Sequence, residues 1–429
     1  MRLEIGNIYV SDVQFGDVTE VKNGTLFVNK TELEKTALGA DDRIKSVEVF
    51  LARPGESVRI MPVKDVVEPR VKVEGCGGIF PGFMAEVDTV GSGRTHVLKG
   101  AAVVTTGKIV GFQEGIIDMT GPGADYTPFS KTQNVVVKVE PIEGLNQHDH
   151  EVVVRLAGFR AANHLGEAGR SVAPDSVSAY ETKPLLEQAV AFPGLPKVAY
   201  VYMLQTQGLL HNTYYYGVDV RQIVPTFMYP TEVMDGAIVS GNCVSACDKN
   251  PTYIHANNPV IADLYAQHGK TINFLGCVIT NENVTLQDKE RSSNMTAKLV
   301  EFMGADAAII SEEGFGNPDA DLVMNCSKLE RRGIKTVLLT DEYAGQDGAS
   351  QSLADSTPLG NACVSAGNAN EVIKLPPMDV VIGYPEVANV IAGGWEGSLK
   401  PDGSIEAEIQ VITSATNELG YNRLTAKTI

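Results

Sequence analysis

The chain has 429 residues, 43% of them hydrophobic and 21% charged, the balance of an ordinary globular protein with room for two or three domains. Its formal net charge of −18 opposes binding to nucleic acid or anionic lipid, because the long-range field repels polyanions. No apolar run is long enough to span a bilayer and the first residues hold no signal-peptide core, so a cytoplasmic location is expected, with the six cysteines present as thiols.

Residues 1–147 read as a β-rich domain. Short β-like runs such as Val47-Glu48-Val49-Phe50-Leu51 and Asn134-Val135-Val136-Val137-Lys138-Val139 are separated by Gly and Pro. Gly75-Cys76-Gly77-Gly78 and Gly91-Ser92-Gly93-Arg94 lack the spacing of a phosphate loop and are expected to be turns. His148-Asp149-His150-Glu151 puts two imidazoles on one face if the chain is extended, but no third ligand follows at a telling distance. The run is therefore read as a solvated linker, and no metal is expected.

Residues 148–242 read as a small α/β region. A helical piece at 183–191 precedes the apolar strand Val198-Ala199-Tyr200-Val201-Tyr202-Met203-Leu204, which ends in the polar Gln205-Thr206-Gln207-Gly208. The region closes at Ser240-Gly241-Asn242-Cys243-Val244-Ser245-Ala246-Cys247, where a thiol directly follows an asparagine. Attack of the Cys243 sulfur on the Asn242 carbonyl would convert that amide to a thioester. Elimination across Cys243 would then release residues 1–242 and leave a dehydroalanine that hydrolyses to a pyruvoyl group. The same residues also suit a turn with one buried and one spare thiol, and by themselves they leave both readings open.

Residues 243–429 read as a parallel α/β domain. Asn258-Pro259 opens a helix that Gly269 ends, and a strand follows at 271–280. The next helix carries Met295, Leu299, Phe302 and Met303 at helical spacing before the strand Ala307-Ala308-Ile309-Ile310. A third helix buries Leu322, Cys326 and Leu329 before Thr336-Val337-Leu338-Leu339. Such βαβ alternation predicts a parallel sheet flanked by helices, with ligands at the carboxyl edge. Each strand runs into an acidic loop: Asn281-Glu282-Asn283, Ser311-Glu312-Glu313-Gly314, Thr340-Asp341-Glu342-Tyr343, and, after a fourth strand at 378–382, Tyr384-Pro385-Glu386. The acids either cap the following helices or converge on a rim that holds a cationic amine, with Glu312 and Glu313 as candidates. No GxGxxG marks a nucleotide site.

One resemblance covers nearly the whole chain. The segment Val239-Ser240-Gly241-Asn242-Cys243-Val244-Ser245-Ala246-Cys247-Asp248-Lys249-Asn250-Pro251-Thr252-Tyr253 resembles component B of the glycine, sarcosine and betaine reductase family. So do Asp12-Val13-Gln14-Phe15-Gly16 and Leu51-Ala52-Arg53-Pro54-Gly55-Glu56-Ser57-Val58-Arg59, and the likeness runs through Thr340-Asp341-Glu342-Tyr343-Ala344-Gly345 to Thr425-Ala426-Lys427. The resemblance implies a proprotein cut between Asn242 and Cys243, with Cys243 becoming a pyruvoyl cofactor. It also implies a partner component B subunit carrying selenocysteine, together with selenoprotein A and component C.

The chemistry explains the need for such a group. An amine is a poor leaving group, and a ketone that condenses with it to a Schiff base draws electrons from the C–N bond while a nucleophile attacks the α-carbon. The implied reaction is the reductive deamination of glycine, with release of ammonia on the way to acetyl phosphate. Sarcosine is the next candidate, and betaine is awkward because a quaternary nitrogen forms no imine. Ser245 is a candidate hydrogen-bond donor to the thioester oxygen, and His255 an acid or base unless it is an ordinary surface or helix-end histidine. Cys247 is either a shuttle for protons or electrons or a packed thiol. Lys249 or Arg291 suits a substrate carboxylate, or else a surface ion pair. Two readings of other classes are a non-catalytic binding or scaffold subunit and an amino-terminal-nucleophile hydrolase.

Overall fold

Alternation along one strand organises the centre of the molecule. In the computed structural model, which describes residues 1–208, 210–241 and 245–420, the strand Lys197–Leu204 is buried on both faces. Ala199, Val201 and Met203 share a core with Ala297, Val300, Leu322 and Cys326 of the helices Leu286–Phe302 and Asn317–Glu330. Val198, Tyr200, Tyr202 and Leu204 face the other way, into a core with Ile254, Ile261 and Leu264. A strand reads as a continuous apolar run when helices cover both sides of its sheet.

Around it lies a six-stranded sheet in the order Thr226–Met228, Asn273–Asn281, Lys197–Leu204, Ala307–Ser311, Lys335–Glu342, Cys363–Asn368. All pairs are parallel except that of the edge strand Thr226–Met228. The expected βαβ units are present and capped as their sequences suggest: Asn258 Oδ1 accepts from the backbone N–H of Ile261 at 3.0 Å and Thr285 Oγ1 from that of Asp288 at 3.2 Å. The helix Leu286–Phe302 departs in part: Leu299 and Met303 pack in the core as expected, but Phe302 is 76% exposed and the buried face is otherwise Lys289, Ser292, Ser293, Thr296, Ala297 and Val300. Small residues let this helix lie close to Asn317–Glu330, so the seam carries little bulk to read.

The first part of the chain is β-rich. A second six-stranded sheet places Gly115–Asp118, Val58–Val67, Ala101–Gly107, Gln133–Pro141 and Ile44–Ala52 side by side. A four-stranded sheet has the order Ser176–Glu181, Arg2–Tyr9, Gly93–Lys99, Arg70–Glu74. The helix Gln147–Glu167 fills the interior with Val153, Val154, Ala157, Phe159 and Leu165. It corrects the expectation for His148-Asp149-His150-Glu151, which is the first turn of this helix, capped by Asn146, and not a solvated linker. Two residues along a helix point about 200° apart, so the imidazoles do not share a face. Glu151 is buried against Arg155 at 3.2 Å.

A second correction concerns the fourth acidic loop. The strand Val380–Gly383 leaves the central sheet and pairs in parallel with Val58–Val67, which carries Glu386 to an exposed position away from the other acids. Cys363–Asn368 takes the sheet position instead. No helix among the described residues is long and apolar enough to cross a membrane.

Strands from both sides of residues 242–244 share two sheets. Lys197–Leu204 and Thr226–Met228 pair with Asn273–Asn281, and Val58–Val67 pairs with Val380–Gly383. Co-expression of residues 1–242 and 243–429 as separate chains should therefore give a complex that copurifies through a tag on either one. Two fragments that are each soluble and do not associate would contradict this arrangement.

Candidate functional site

The carboxyl edge of the central sheet gathers acids inside the protein. Glu282, Glu312, Glu313 and Asp341 follow or end three strands of this sheet and are all fully buried, so they neither line an open rim nor cap the next helices. Their hydrogen bonds tie the loops to one another. Glu282 Oε1 accepts from the backbone N–H of Glu313 at 2.9 Å, and the Thr340 hydroxyl donates to Glu312. Glu313 Oε2 accepts from the backbone N–H of Gln205 at 3.1 Å and from the Thr213 hydroxyl at 2.8 Å. Burial pushes the carboxyls of Glu282, Glu312 and Asp341 well above the usual range, and neighbouring acids push them further. For Glu313 burial outweighs its hydrogen bonds and the nearby Lys249 charge, and its pKa rises to about 7.

His255 stands opposite. It is fully buried, not at the surface, with Nδ1 2.7 Å from the Tyr202 hydroxyl and Nε2 3.7 Å from Glu313 Oε1. Burial, and then the charge of Lys249, lowers its pKa to about 3, so the imidazole is neutral at pH 7. The pair is therefore a neutral histidine facing a carboxyl poised near neutrality, and not an ion pair.

Ser245, Cys247, Asp248, Lys249 and Asn250 are buried against this edge. The Cys247 thiol donates to Asp248 Oδ1 at 3.0 Å and lies 3.3 Å from the Tyr343 hydroxyl, which donates to Asp248 Oδ1 at 3.2 Å. Burial, reinforced by Asp248 and Asp341, raises the thiol well above its ordinary pKa. The carboxyl-terminal stretch lies alongside: Ser414 N donates to the Ala246 carbonyl at 2.7 Å and Thr416 N to that of Cys247 at 3.2 Å. Lys249 Nζ donates to the Lys64 carbonyl.

Upstream, Asp65 in the strand Val58–Val67 accepts from the Thr252 backbone at 2.9 Å and from its hydroxyl at 2.6 Å. The Thr252 hydroxyl in turn accepts from Ser240 N at 3.1 Å. Gly241 admits no side chain, because a Cβ there would lie 1.9 Å from the Asn212 carbonyl oxygen. Asn242 and Cys243 lie outside the described residues. Of the other candidates, Ser245, Cys247, Lys249, His255, Glu312 and Glu313 come together. Arg291 does not: its side chain is 52% exposed and pairs with Asp288 one turn away.

The match to known sequences is complete in length. The model of the family described as glycine/sarcosine/betaine reductase component B subunits matches residues 1–427. The chain belongs to this family. It is 68% identical over 430 residues to the glycine reductase complex component B subunits alpha and beta of Acetoanaerobium sticklandii, with 100% of both chains covered. It is 60% identical over 427 residues to the sarcosine reductase complex component B subunit alpha of Peptoclostridium acidaminophilum, again with 100% of both covered. A more distant relative is the D-proline reductase proprotein PrdA of A. sticklandii, 24% identical over 354 residues, which are 76% of this chain and 53% of that one. No solved structure matches. As a component B subunit the chain is part of a multi-component amino-acid reductase.

Asp248, Tyr343, Thr416 and Glu418 join this component B site without having stood out as site residues. Asp248 and Tyr343 adjoin residues that did, whereas Thr416 and Glu418 are brought in over more than 70 residues of chain and leave no local pattern.

The titration of Glu313 yields a test. Between its ordinary value of 4.5 and its raised value of about 7 the folded protein holds a proton that the unfolded chain has released, so this group costs stability as pH rises through that window. His255 acts in the opposite sense, because the unfolded chain takes up a proton below 6.5 that the folded imidazole refuses down to about 3. Glu313→Gln keeps an acceptor for Gln205 and Thr213 and places an amide toward His255 Nε2. It should stabilise the protein by up to about 3 kcal/mol above pH 7, fading to nothing near pH 4.5. Urea unfolding at pH 5 and pH 8 measures this, and equal destabilisation at both values would refute it.

Proposed function

We propose that the chain is the proprotein of the α and β subunits of a glycine reductase component B, cut between Asn242 and Cys243, with Cys243 converted to a pyruvoyl group. The full-length identity of 68% to a protein named for two subunits carries this reading, and the distant relative named as a proprotein supports it. So does the setting of the junction: the backbone before it is held by the Asp65, Thr252 and Ser240 hydrogen bonds, and Ser245 after it is buried. The surrounding residues fit a carbonyl group that receives an amine. Glu312 Oε2, Glu313 Oε1 and His255 Nε2 are buried without hydrogen-bond partners among the described residues. A pyruvoyl ketone supplies an electron sink that makes a substrate C–N bond breakable.

Glu313, with a pKa of about 7, takes a proton from the arriving ammonium group and returns it to the departing nitrogen. His255, neutral and oriented by Tyr202, stands next to that carboxyl to relay the proton. Lys249 supplies the positive charge for the substrate carboxylate, and Ser245 a hydroxyl for the oxygen that develops charge during cleavage. Glu312 Oε2, buried without a hydrogen-bond partner among the described residues, offers an acceptor for the substrate nitrogen at the strand ends. Burial excludes water, which strengthens each of these interactions. Cys247 is a poor nucleophile because its thiol is buried and pushed up in pKa. The attack on the α-carbon therefore falls to the selenol of a partner component B subunit, with selenoprotein A and component C completing the complex. Glycine is the proposed substrate and sarcosine the second, in view of the 60% identity to a sarcosine reductase subunit.

Intact-mass analysis of the active protein should show fragments 1–242 and 243–429, the second without a free amino-terminal cysteine. Borohydride with labelled glycine should tag the second fragment, whereas a scaffold subunit takes up no label. Cys243→Ala should leave one uncut chain and lower glycine turnover in the reconstituted complex by about a thousandfold or more, the scale of losing a covalent group. Faster turnover of sarcosine than of glycine would reassign the substrate, and an uncut active chain would refute the proposal.

A further inference from the structure

The geometry points to a divalent transition-metal site formed by Cys247, Asp248 and Asp341, with zinc as the expected ion. Ligand atoms of the three residues lie within 4.8 Å of one another, close enough for a single ion to touch all three. All three residues are fully buried. Some buried carboxyls elsewhere in the protein are matched by cations, as Asp118 is by Arg59 and Glu114 by Lys64.

The two aspartates are each fixed on one side and open on the other. Thr416 Oγ1 donates to Asp341 Oδ2 at 2.7 Å, and the Tyr343 hydroxyl donates to Asp248 Oδ1 at 3.2 Å. Asp341 Oδ1, Asp248 Oδ2 and both oxygens of Glu418 have no hydrogen-bond partner among the described residues. Hydroxyl donors that orient a carboxylate and leave its other oxygen free are the outer-shell arrangement of metal ligands.

The donor types select the ion. A thiol is a weak acceptor for an ammonium group, whereas a thiolate with carboxylates suits zinc and disfavours magnesium or calcium. Binding would displace the thiol and carboxyl protons, and the charge of the ion would offset the repulsion among the ionised ligands. The ion would also tie the segment after residue 244 to the strand Lys335–Glu342, whose Asp341 is held by Thr416. The site stands whether or not the chain is cut.

The test uses the full-length protein, reduced, stripped with chelator and titrated with Zn2+ by calorimetry, with metal content measured after desalting. One zinc per chain and a raised melting temperature are expected. Cys247→Ser, Asp248→Asn and Asp341→Asn should each weaken binding at least about tenfold. Circular dichroism of the metal-free variants checks their folding, and Asp341→Asn serves where Cys247→Ser does not fold. Co2+ should give a thiolate charge-transfer band that survives Cys76→Ser with Cys363→Ser, which alters the exposed thiols, and is lost in Cys247→Ser. Zinc retention no greater than in the variants, a band that survives Cys247→Ser, or methylamine bound at the cluster in place of zinc would overturn the proposal.

Discussion

A carboxylate moved out of water costs several kcal/mol unless donors or a cation replace its hydration, and the carboxyl edge of the central sheet moves Glu282, Glu312, Glu313 and Asp341 out of water together. The segments around Thr213, Cys247-Asp248 and Thr416 close over the strand ends, through contacts such as Thr213 to Glu313 and Thr416 to Asp341. The loops meet the cost in part through hydrogen bonds to one another, such as Glu282 to the Glu313 backbone. What remains unmet is held as protonated carboxyls and unpartnered oxygens. A site of this kind is costly for folding and suited to proton transfer, since a group that titrates near neutrality passes a proton with little driving force either way.

The same burial assigns different tasks to neighbouring groups. His255 and Glu313 lie 3.7 Å apart, yet desolvation drives one to about 3 and the other to about 7, so between pH 4.5 and 6.5, where an exposed pair would be ionised, both are mainly neutral. Cys247 is silenced as a nucleophile by the medium that leaves its sulfur next to Asp248. Reactivity in this pocket is set by access to water more than by residue type.

Much of the architecture was legible along the chain because its signals are local. Asn258-Pro259, Gly269 and the apolar run from Val198 to Leu204 announce a cap, a stop and a doubly covered strand within a few residues each. The acids after the strands were visible as a pattern, and three of the four loops converge. The fourth does not, because Val380–Gly383 finds its partner in Val58–Val67, more than 300 residues earlier, and nothing in its own sequence names that strand. The burial of His255 was hidden for the same reason, since it depends on Tyr202 and Glu313, each more than 50 residues away. The helical run at His148 was misread because two histidines at that spacing suit a strand until the Asn146 cap is recognised.

These long-range dependences bear on when the proposed cleavage takes place. Asp65 holds Thr252 across 187 residues, and Thr252 holds Ser240, two residues before Asn242. Ser414 and Thr416 hold Ala246 and Cys247 from the other end of the chain. The backbone on both sides of the junction is therefore positioned only after strands from both halves have paired and the carboxyl-terminal stretch has docked. An unfolded chain has none of these contacts, and its Asn-Cys bond is an ordinary peptide bond. Cleavage that depends on this framework follows folding, and by then the two products are already joined through the central sheet. Under the proposed cleavage, maturation would be a consequence of the fold, and the two fragments, already paired through the central sheet, would not need to find each other by diffusion.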